Sequence, residues 1–247
     1  MPMTQSGARS ARSTPRENTL RLVEDATHPV VVQARGEGVN RAINVLIALV
    51  ALVLLSPVYL FIAVLVKLSS RGPVFYSQTR VGIDRRASRT TAVSHRRIQD
   101  LGGQVFTIYK FRTMFVNAEH LSGAVWAVQQ DPRVTGVGKL LRKYRLDELP
   151  QLLNVLMGDM NVVGPRPERP SIFIKLRKEI SGYHYRQRTK PGITGLAQIN
   201  QHYDATVDDV RNKLRYDLIY LSRQGLLEDL KIMLKTVPVI LFKRGGW

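Results

Sequence analysis

The stretch ALVLLSPVYLFIAVLV, residues 51–66, closes a run of 25 residues, Ala42 to Val66, that carries no charged side chain. As one straight helix the run would be about 37 Å long at ~1.5 Å per residue. That is enough for a hydrocarbon core of roughly 30 Å. Ser56 and Pro57 stand inside it. Proline has no N–H, so the carbonyl of Val53 loses its helical partner and the ring presses against it. Unpaired backbone groups are costly in lipid. The Ser56 hydroxyl can bond back to the carbonyl of Leu52 and deepen a bend. Prolines also occur in helices that cross while kinked, so this stretch alone leaves crossing and turning back open.

The flanks favour turning back. After the run come Lys67, Arg71, Arg80, Arg85, Arg86, Arg89, Arg96 and Arg97. A side this basic is expected to be cytoplasmic. The upstream side is mildly basic too, with Arg9, Arg12, Arg16, Arg21, Arg35 and Arg41 against Glu17, Glu24, Asp25 and Glu37. A crossing would leave a basic segment outside. A helix that bends at Ser56-Pro57 and leaves where it entered keeps both ends inside, and this re-entrant form is the expectation.

The 247 residues have a formal net charge of +18 and are 44% hydrophobic. That excludes a disordered chain and points to anionic partners, with nucleic acid, an anionic membrane surface and phosphorylated substrates all open. The absence of cysteine excludes disulfides, thiolate catalysis and zinc sites built on sulfur. The run begins too late and is too long to be a cleaved signal peptide. Residues 1–41 read as a flexible polar tail, with Val30 to Val32 as a short contact point.

From Lys67 onward the pattern is globular. GPVFYSQTRVG and GQVFTIYKFRTM, residues 72–82 and 103–114, predict strands. The basic segment 84–101 between them predicts a surface loop. GKLLRKYRLDELPQLLNVLMG, residues 138–158, predicts a helix that Pro150 breaks or bends and Gly158 ends. DDVRNKLRYDLIYL, residues 208–221, predicts a second helix whose stripe is Val210, Leu214, Leu218 and Leu221, with Asp208 and Asp209 at its N-terminus. IFIKLRKEI, residues 172–180, and a last helix over 226–242, interrupted at Pro238, are amphipathic. Each could lie on a membrane surface or pack on the domain's own core.

Acids are the reactive groups this composition leaves. Asp147 and Glu148 are adjacent, and on an α-helix they would stand roughly 100° apart. They could face one cavity and do different jobs: one carboxylate attacking phosphorus, the other holding Mg²⁺ with phosphate oxygens. The plainer reading is a solvated pair beside Arg142, Lys143 or Arg145. VVGPRPERP, residues 162–170, uses Pro165, Pro167 and Pro170 to hold Arg166 and Arg169 stiffly for phosphate, or is a rigid connector. KPGITGLAQIN, residues 190–200, offers backbone N–H groups to an anion, or is a turn before a short strand. Lys110 and Arg112 alternate along a strand and share a face, for phosphate or for solvent.

LRKYRLDELPQLLNVLMGDMNVVGPRPE, residues 141–168, closely resembles the signature of the bacterial sugar transferases, the monotopic polyprenyl-phosphate phosphoglycosyl transferases. KFRTM, KPGITGLAQIN, LRYDLIYL and DLKIMLKTV match further blocks of that family in order, from roughly Ile43 to the C-terminus. The resemblance implies an α+β fold: a membrane re-entrant helix broken at Ser56-Pro57 (42–66), then a small, mainly helical cytoplasmic catalytic domain (67–247) with surface amphipathic helices. It implies transfer of a sugar 1-phosphate from a UDP-sugar to undecaprenyl phosphate at the cytoplasmic face of a bacterial inner membrane, in exopolysaccharide or related glycan assembly. UMP would leave, and an aspartyl-phosphosugar would be the intermediate. Asp147 and Glu148 would be the catalytic dyad, with Glu148 helping to hold Mg²⁺. Lys110, Arg112, Arg142, Pro165, Arg166 and Pro167 would form the phosphate and nucleotide site. Anionic membrane lipids are expected partners, nucleic acid is not, and a homodimer is left open. Arg145 stands where a small polar residue is expected, Asn161 replaces a common serine, and segment 84–101 is longer than the usual link.

A membrane-anchored basic protein that binds nucleic acid or acidic polymer would explain the charge but not an acidic dyad beside Pro-Arg-Pro. The intact pair also argues against a silent scaffold in a polysaccharide assembly complex.

Overall fold

A computed structural model describes residues 32–33, 35–85, 101–116, 118, 131–201 and 206–242. Most of the basic segment 84–101 and of the polar tail lies outside them. Pro57 sets the first two elements among the described residues. Helix α1 runs Glu37–Leu54 and α2 runs Ser56–Ser69, with Leu55 between them at φ −90°, ψ 1°. The Ser56 hydroxyl donates to the carbonyl of Val53 at 2.8 Å. The sequence predicts that bond on Leu52; it falls one residue on, at the carbonyl that the proline orphans.

Both helices extend beyond the uncharged run, and the helical chain begins at Glu37 rather than Ala42. The segment before it is not a free tail. The backbone N–H of Gln33 donates to the carbonyl of Leu221 at 3.0 Å. Arg35 pairs with Asp229 at 2.7 Å and donates to the Tyr220 hydroxyl at 3.0 Å. Asp229 is 194 residues away in sequence, which is why composition shows only a polar stretch here.

The predicted strands are β1 Phe75–Val81 and β2 Val105–Phe111, antiparallel, with Phe75 opposite Phe111 and Val81 opposite Val105. The helix predicted over 138–158 is three pieces: α3 Gly136–Lys143, a 3₁₀ turn Leu146–Glu148, and α4 Gln151–Met157. Pro150 caps α4, and a second break precedes it. Arg145 sits at φ 53°, the one non-glycine residue with positive φ among the described residues. Gly158 closes α4 at φ 90°, as its place predicts.

Beyond it, β3 Asn161–Val163 pairs in parallel with β4 Gly192–Thr194. Between these strands lie α5 Pro170–Glu179 and a 3₁₀ segment Tyr183–Arg188. The chain ends in α6 Leu196–Asn200, α7 Val207–Arg223 and α8 Leu226–Leu241. The fold is thus mixed and mostly helical, as predicted. α7 buries its predicted stripe and starts in a capping box between Thr206 and Asp209.

The two amphipathic segments divide. α5 turns Phe173 and Leu176 into the core with Val81, Tyr183, Val210 and Leu214, so core packing accounts for its face. α8 buries Ile232 but leaves Leu227, Leu230, Leu234, Val237 and Leu241 exposed. It also runs through Pro238 instead of stopping there. The ring leaves the Leu234 carbonyl without an N–H partner, and Leu234 is exposed, so that cost falls at the surface.

α1 is long and apolar enough to cross a membrane. Each arm of the broken helix packs on the domain along one side. Ala48, Ala51 and Leu52 meet Ile108, Leu152, Val155 and Met160; Ile62 and Val66 meet Phe111 and Leu141. The other sides expose Leu46, Leu49, Val50, Val53, Leu54, Leu60, Phe61 and Val64.

A buried ionic cluster ties the loop before α5, the Tyr183–Arg188 segment and α7 together. Glu168 accepts from Lys213 at 2.7 Å and Arg186 at 3.2 Å, and Arg186 pairs with Asp217 at 2.8 Å. Burial opposes the charge on Glu168, but Lys213 and Arg186 outweigh it and hold the carboxyl well below the usual range. A depressed carboxyl stabilises the fold above its unfolded value and loses that contribution as pH falls through the folded one. Glu168→Gln strands buried cations and should cost about 3 kcal/mol. That is a drop of roughly 6–12 °C in melting temperature near neutral pH, shrinking as the parent is acidified below the usual glutamate value. An unchanged melting curve in detergent at pH 7 would contradict it.

Candidate functional site

Three elements converge on Glu148. Lys110 is the penultimate residue of β2, Arg166 comes from the loop after β3, and Glu148 itself lies in the 3₁₀ turn. One carboxylate oxygen accepts from Lys110 Nζ at 2.7 Å and from Arg166 Nη2 at 2.5 Å; the other accepts from Arg166 Nη1 at 3.0 Å. The guanidinium thus grips the carboxylate as a fork. Burial penalises the Glu148 charge, but Arg166 and Lys110 reverse this and hold its carboxyl well below the usual range. Burial also lowers the Lys110 ammonium, against the pull of Glu148.

Asp147 is treated differently by the same turn. It is buried, yet among the described residues none donates a hydrogen bond to its carboxylate. Burial pushes its carboxyl up, opposed by Lys110, and the charge of Glu148 adds to the rise; Arg142 and Arg166 pull it back. The solvated-pair reading is therefore corrected, since both acids are enclosed. The helical geometry is corrected too. A 3₁₀ turn separates neighbours by ~120°, which helps turn Glu148 into hydrogen bonds with Lys110 and Arg166 while Asp147 feels their charge without a bond from either.

The Arg166 loop is held carbonyl by carbonyl. The carbonyl of Pro165 accepts from Gly192 N–H at 3.0 Å, and that of Arg166 from Arg186 Nη2 at 2.9 Å. The Pro167 carbonyl accepts from Arg80 Nη1 at 3.0 Å, and that of Glu168 from Val81 N–H at 2.9 Å. Pro165 and Pro167 carry no N–H of their own to satisfy. With four successive carbonyls taken, the loop has little freedom and Arg166 faces Glu148. KPGITG supplies part of this frame. Its Gly192 N–H goes to Pro165, not to an anion, so the turn-and-strand reading holds there.

The remaining candidates scatter. Arg142 donates to the Thr113 hydroxyl at 2.9 Å while its charge reaches Asp147. Arg112 does not join Lys110. The strand ends at Phe111, and Arg112 turns to the end of α2, donating to the carbonyls of Arg71 at 2.6 Å and Ser70 at 2.8 Å. Ser56 and Pro57 stay at the helix break. Arg80 and Arg186 hold the loop, and no local signal in the sequence points to either. Nothing in RQRTK marks Arg186, and Arg80 reads as one more charge in a strand. Burial and the nearby Arg166 lower the Arg80 guanidinium to about 10.

Among the described residues no group of three or more His, Cys, Asp or Glu side chains could cage a metal. Glu148 already accepts from Lys110 and Arg166, so a hard cation here would share that carboxylate with them and take its other ligands from water and phosphate, the usual habit of Mg²⁺.

Residues 35–243 match the model of the family described as bacterial sugar transferase. A UDP-N-acetylgalactosamine-undecaprenyl-phosphate N-acetylgalactosaminephosphotransferase of Aeromonas hydrophila is 42% identical over 208 residues, covering 84% of this chain and 45% of that protein. A UDP-glucose:undecaprenyl-phosphate glucose-1-phosphate transferase of Klebsiella pneumoniae is 40% identical over 200 residues, covering 80% of this chain and 39% of that protein. The chain therefore spans less than half the length of these two curated relatives. The exopolysaccharide production protein ExoY of Sinorhizobium fredii (strain NBRC 101917 / NGR234) is 36% identical over 222 residues, covering 84% of this chain and 88% of that protein.

The frame makes Gly164 a sharp test. A Cβ there would lie 2.5 Å from the carbonyl oxygen of Lys190 and 2.8 Å from the backbone nitrogen of Gly192. These are backbone atoms, so strands β3 and β4 would have to part. Gly164→Ala is expected to cost about 1–3 kcal/mol, read as a lower melting temperature; parental melting would show that the loop is looser than drawn.

Proposed function

Because this chain belongs to the bacterial sugar transferase family, we propose that it transfers a sugar 1-phosphate from a UDP-sugar to undecaprenyl phosphate, releasing UMP, in the assembly of an exopolysaccharide or related glycan. Two relatives' names support the acceptor and the class of donor, and the third supports the exopolysaccharide setting. The observation that carries the mechanism is the asymmetry of the dyad: Glu148 is gripped by two cations, while Asp147 is enclosed among cations and accepts no hydrogen bond on its carboxylate from any described residue.

In the first step an Asp147 oxygen attacks the phosphorus that bears the sugar. The bond from that phosphorus to the bridging oxygen breaks, and UMP leaves with the electron pair. In the second step a phosphate oxygen of undecaprenyl phosphate attacks the same phosphorus. The Asp147 carboxylate is released, and the product is a diphosphate-linked lipid sugar. Splitting one transfer in two is the usual gain from a covalent nucleophile. Phosphoryl transfer otherwise asks mainly for positioning and charge, the role proposed for Lys110, Arg142 and Arg166. Glu148 would hold Mg²⁺ together with phosphate oxygens, and Mg²⁺ when bound supplies charge neutralisation at the pyrophosphate.

The setting proposed is the cytoplasmic face of a bacterial inner membrane. The broken helix Glu37–Ser69 dips into the bilayer and returns, leaving the residues that follow it as the catalytic domain. Its exposed leucines and valines, the row on α8 and the basic balance of the chain support this. Each lysine or arginine near anionic lipid would add about 1 kcal/mol.

The chemical test is UMP release from UDP-glucose and UDP-N-acetylgalactosamine, with undecaprenyl phosphate and Mg²⁺ present. Asp147→Asn is expected to lose at least ~10³ in rate, about 4 kcal/mol of barrier, and to form no adduct. The parent, denied acceptor lipid, should gain the mass of a phosphosugar, with ping-pong kinetics. Near-normal turnover of Asp147→Asn would remove the nucleophile assignment.

The topological test uses the natural lack of cysteine. Val39→Cys and Ser70→Cys should both resist a membrane-impermeant thiol reagent in spheroplasts until the membrane is opened. With Ser56 and Pro57 both changed to alanine, Val39→Cys should become partly reactive. Labelling of Val39→Cys from outside in the parent background would mean that the chain crosses.

A further inference from the structure

The return arm of the broken helix does more than anchor the domain. The Tyr59 hydroxyl donates to the carbonyl of Leu149 at 2.5 Å, one residue after Glu148. That carbonyl already accepts from the Leu152 N–H at 3.0 Å, so it is the joint where the dyad turn becomes α4. The Tyr59 ring meets the edge of Phe111 at 5.5 Å and 60°. Phe111 directly follows Lys110, the partner of Glu148. Tyr59 therefore touches the chain next to both ends of the Lys110–Glu148 pair. Its neighbours complete the grip: Leu146 and Leu149, on either side of the dyad, pack into one cluster with Ile62 and Val66 of α2.

The outgoing arm holds the other side. Asn44, buried in α1, accepts the Val162 N–H at 2.6 Å, and Arg41 donates to the carbonyls of Val155 and Leu156. Val162 lies in β3, which leads into the Arg166 loop.

We infer that Tyr59 is a positioning residue for the proposed transfer: its hydroxyl sets the Asp147–Glu148 turn, and through it the bend at Ser56-Pro57 becomes part of the active geometry. This rests on the phosphotransfer reading above. The arm carrying Tyr59 stays on the domain only while the helix is broken. A straight helix anchored by Arg41 and Asn44 would carry Tyr59, Ile62 and Val66 away from the dyad. Small displacements of reacting groups are expensive; about 1 Å can cost 10²-fold.

The test is Tyr59→Phe, which keeps the ring against Phe111 and removes only the hydroxyl. It is measured in the full-length chain, in vesicles of anionic lipid, with the UDP-sugar that the parent turns over, beside Asp147→Asn. The expected result is a 10- to 100-fold fall in kcat, a KM for donor within about threefold of the parent, and slower build-up of the Asp147 adduct. Insertion, by the cysteine assay, should be unchanged. If the variant melts early, rates are taken per folded molecule well below its own midpoint. Parental kcat on that basis overturns the inference, as does a loss confined to KM, which would place the hydroxyl in substrate binding. If Asp147→Asn is inactive while Tyr59→Phe is normal, this inference alone fails; if Asp147→Asn is itself active, the transfer reading fails and takes this one with it.

Discussion

One missing N–H organises the molecule. Pro57 cannot pair with the carbonyl of Val53, and the Ser56 hydroxyl takes that carbonyl over. The helix can then stop and restart at Leu55 without leaving a bare polar group among leucines and valines, a cost that lipid makes severe. Everything placed by the second arm depends on this. Ile62 and Val66 close one core cluster, and Arg112 is committed to the carbonyls that end α2. The break is a local backbone event whose effects reach the dyad through packing.

The site is built by unequal sharing of cations. Two carboxylates in one turn cannot both be paired with the same fork, and the geometry gives the fork to Glu148. Behind it, the Glu168–Arg186–Lys213 cluster fixes the loop that presents Arg166, because Arg186 reaches both Glu168 and the Arg166 carbonyl. A buried ion pair adds little net stability of its own and is expensive to break. Here such pairs act as registration pins for a loop of prolines.

Local signals in the sequence were readable, and distant partners were not. The stripe of α7, its acidic start, the Gly158 stop and the two long strands follow from spacing and turn chemistry, and the structure has them. Asp147, Glu148, Lys110 and Arg166 could be picked out as residue types in order. Their pairing could not, because Arg145 turns left-handed where a continuous helix up to Pro150 was expected. Arg112 does not share a face with Lys110, because alternation holds only while a strand lasts and β2 ends at Phe111. Residues 32–41 looked like a tail because the partners of Gln33 and Arg35 lie on α7 and α8. Pro238 reads as an interruption, but it sits in the last turn of an exposed helix, where one lost bond is cheap and the helix runs on.

Arg145 sets two demands against each other. Holding a side chain other than glycine at φ 53° costs on the order of 1–2 kcal/mol. Asparagine tolerates that conformation better, so a search for heat-stable variants would be drawn to this position. Yet the Arg145 charge is among those that keep Glu148 ionised. A more comfortable backbone would come with a weaker local field, and selection for thermal endurance would work against the acidity of Glu148 at the same codon.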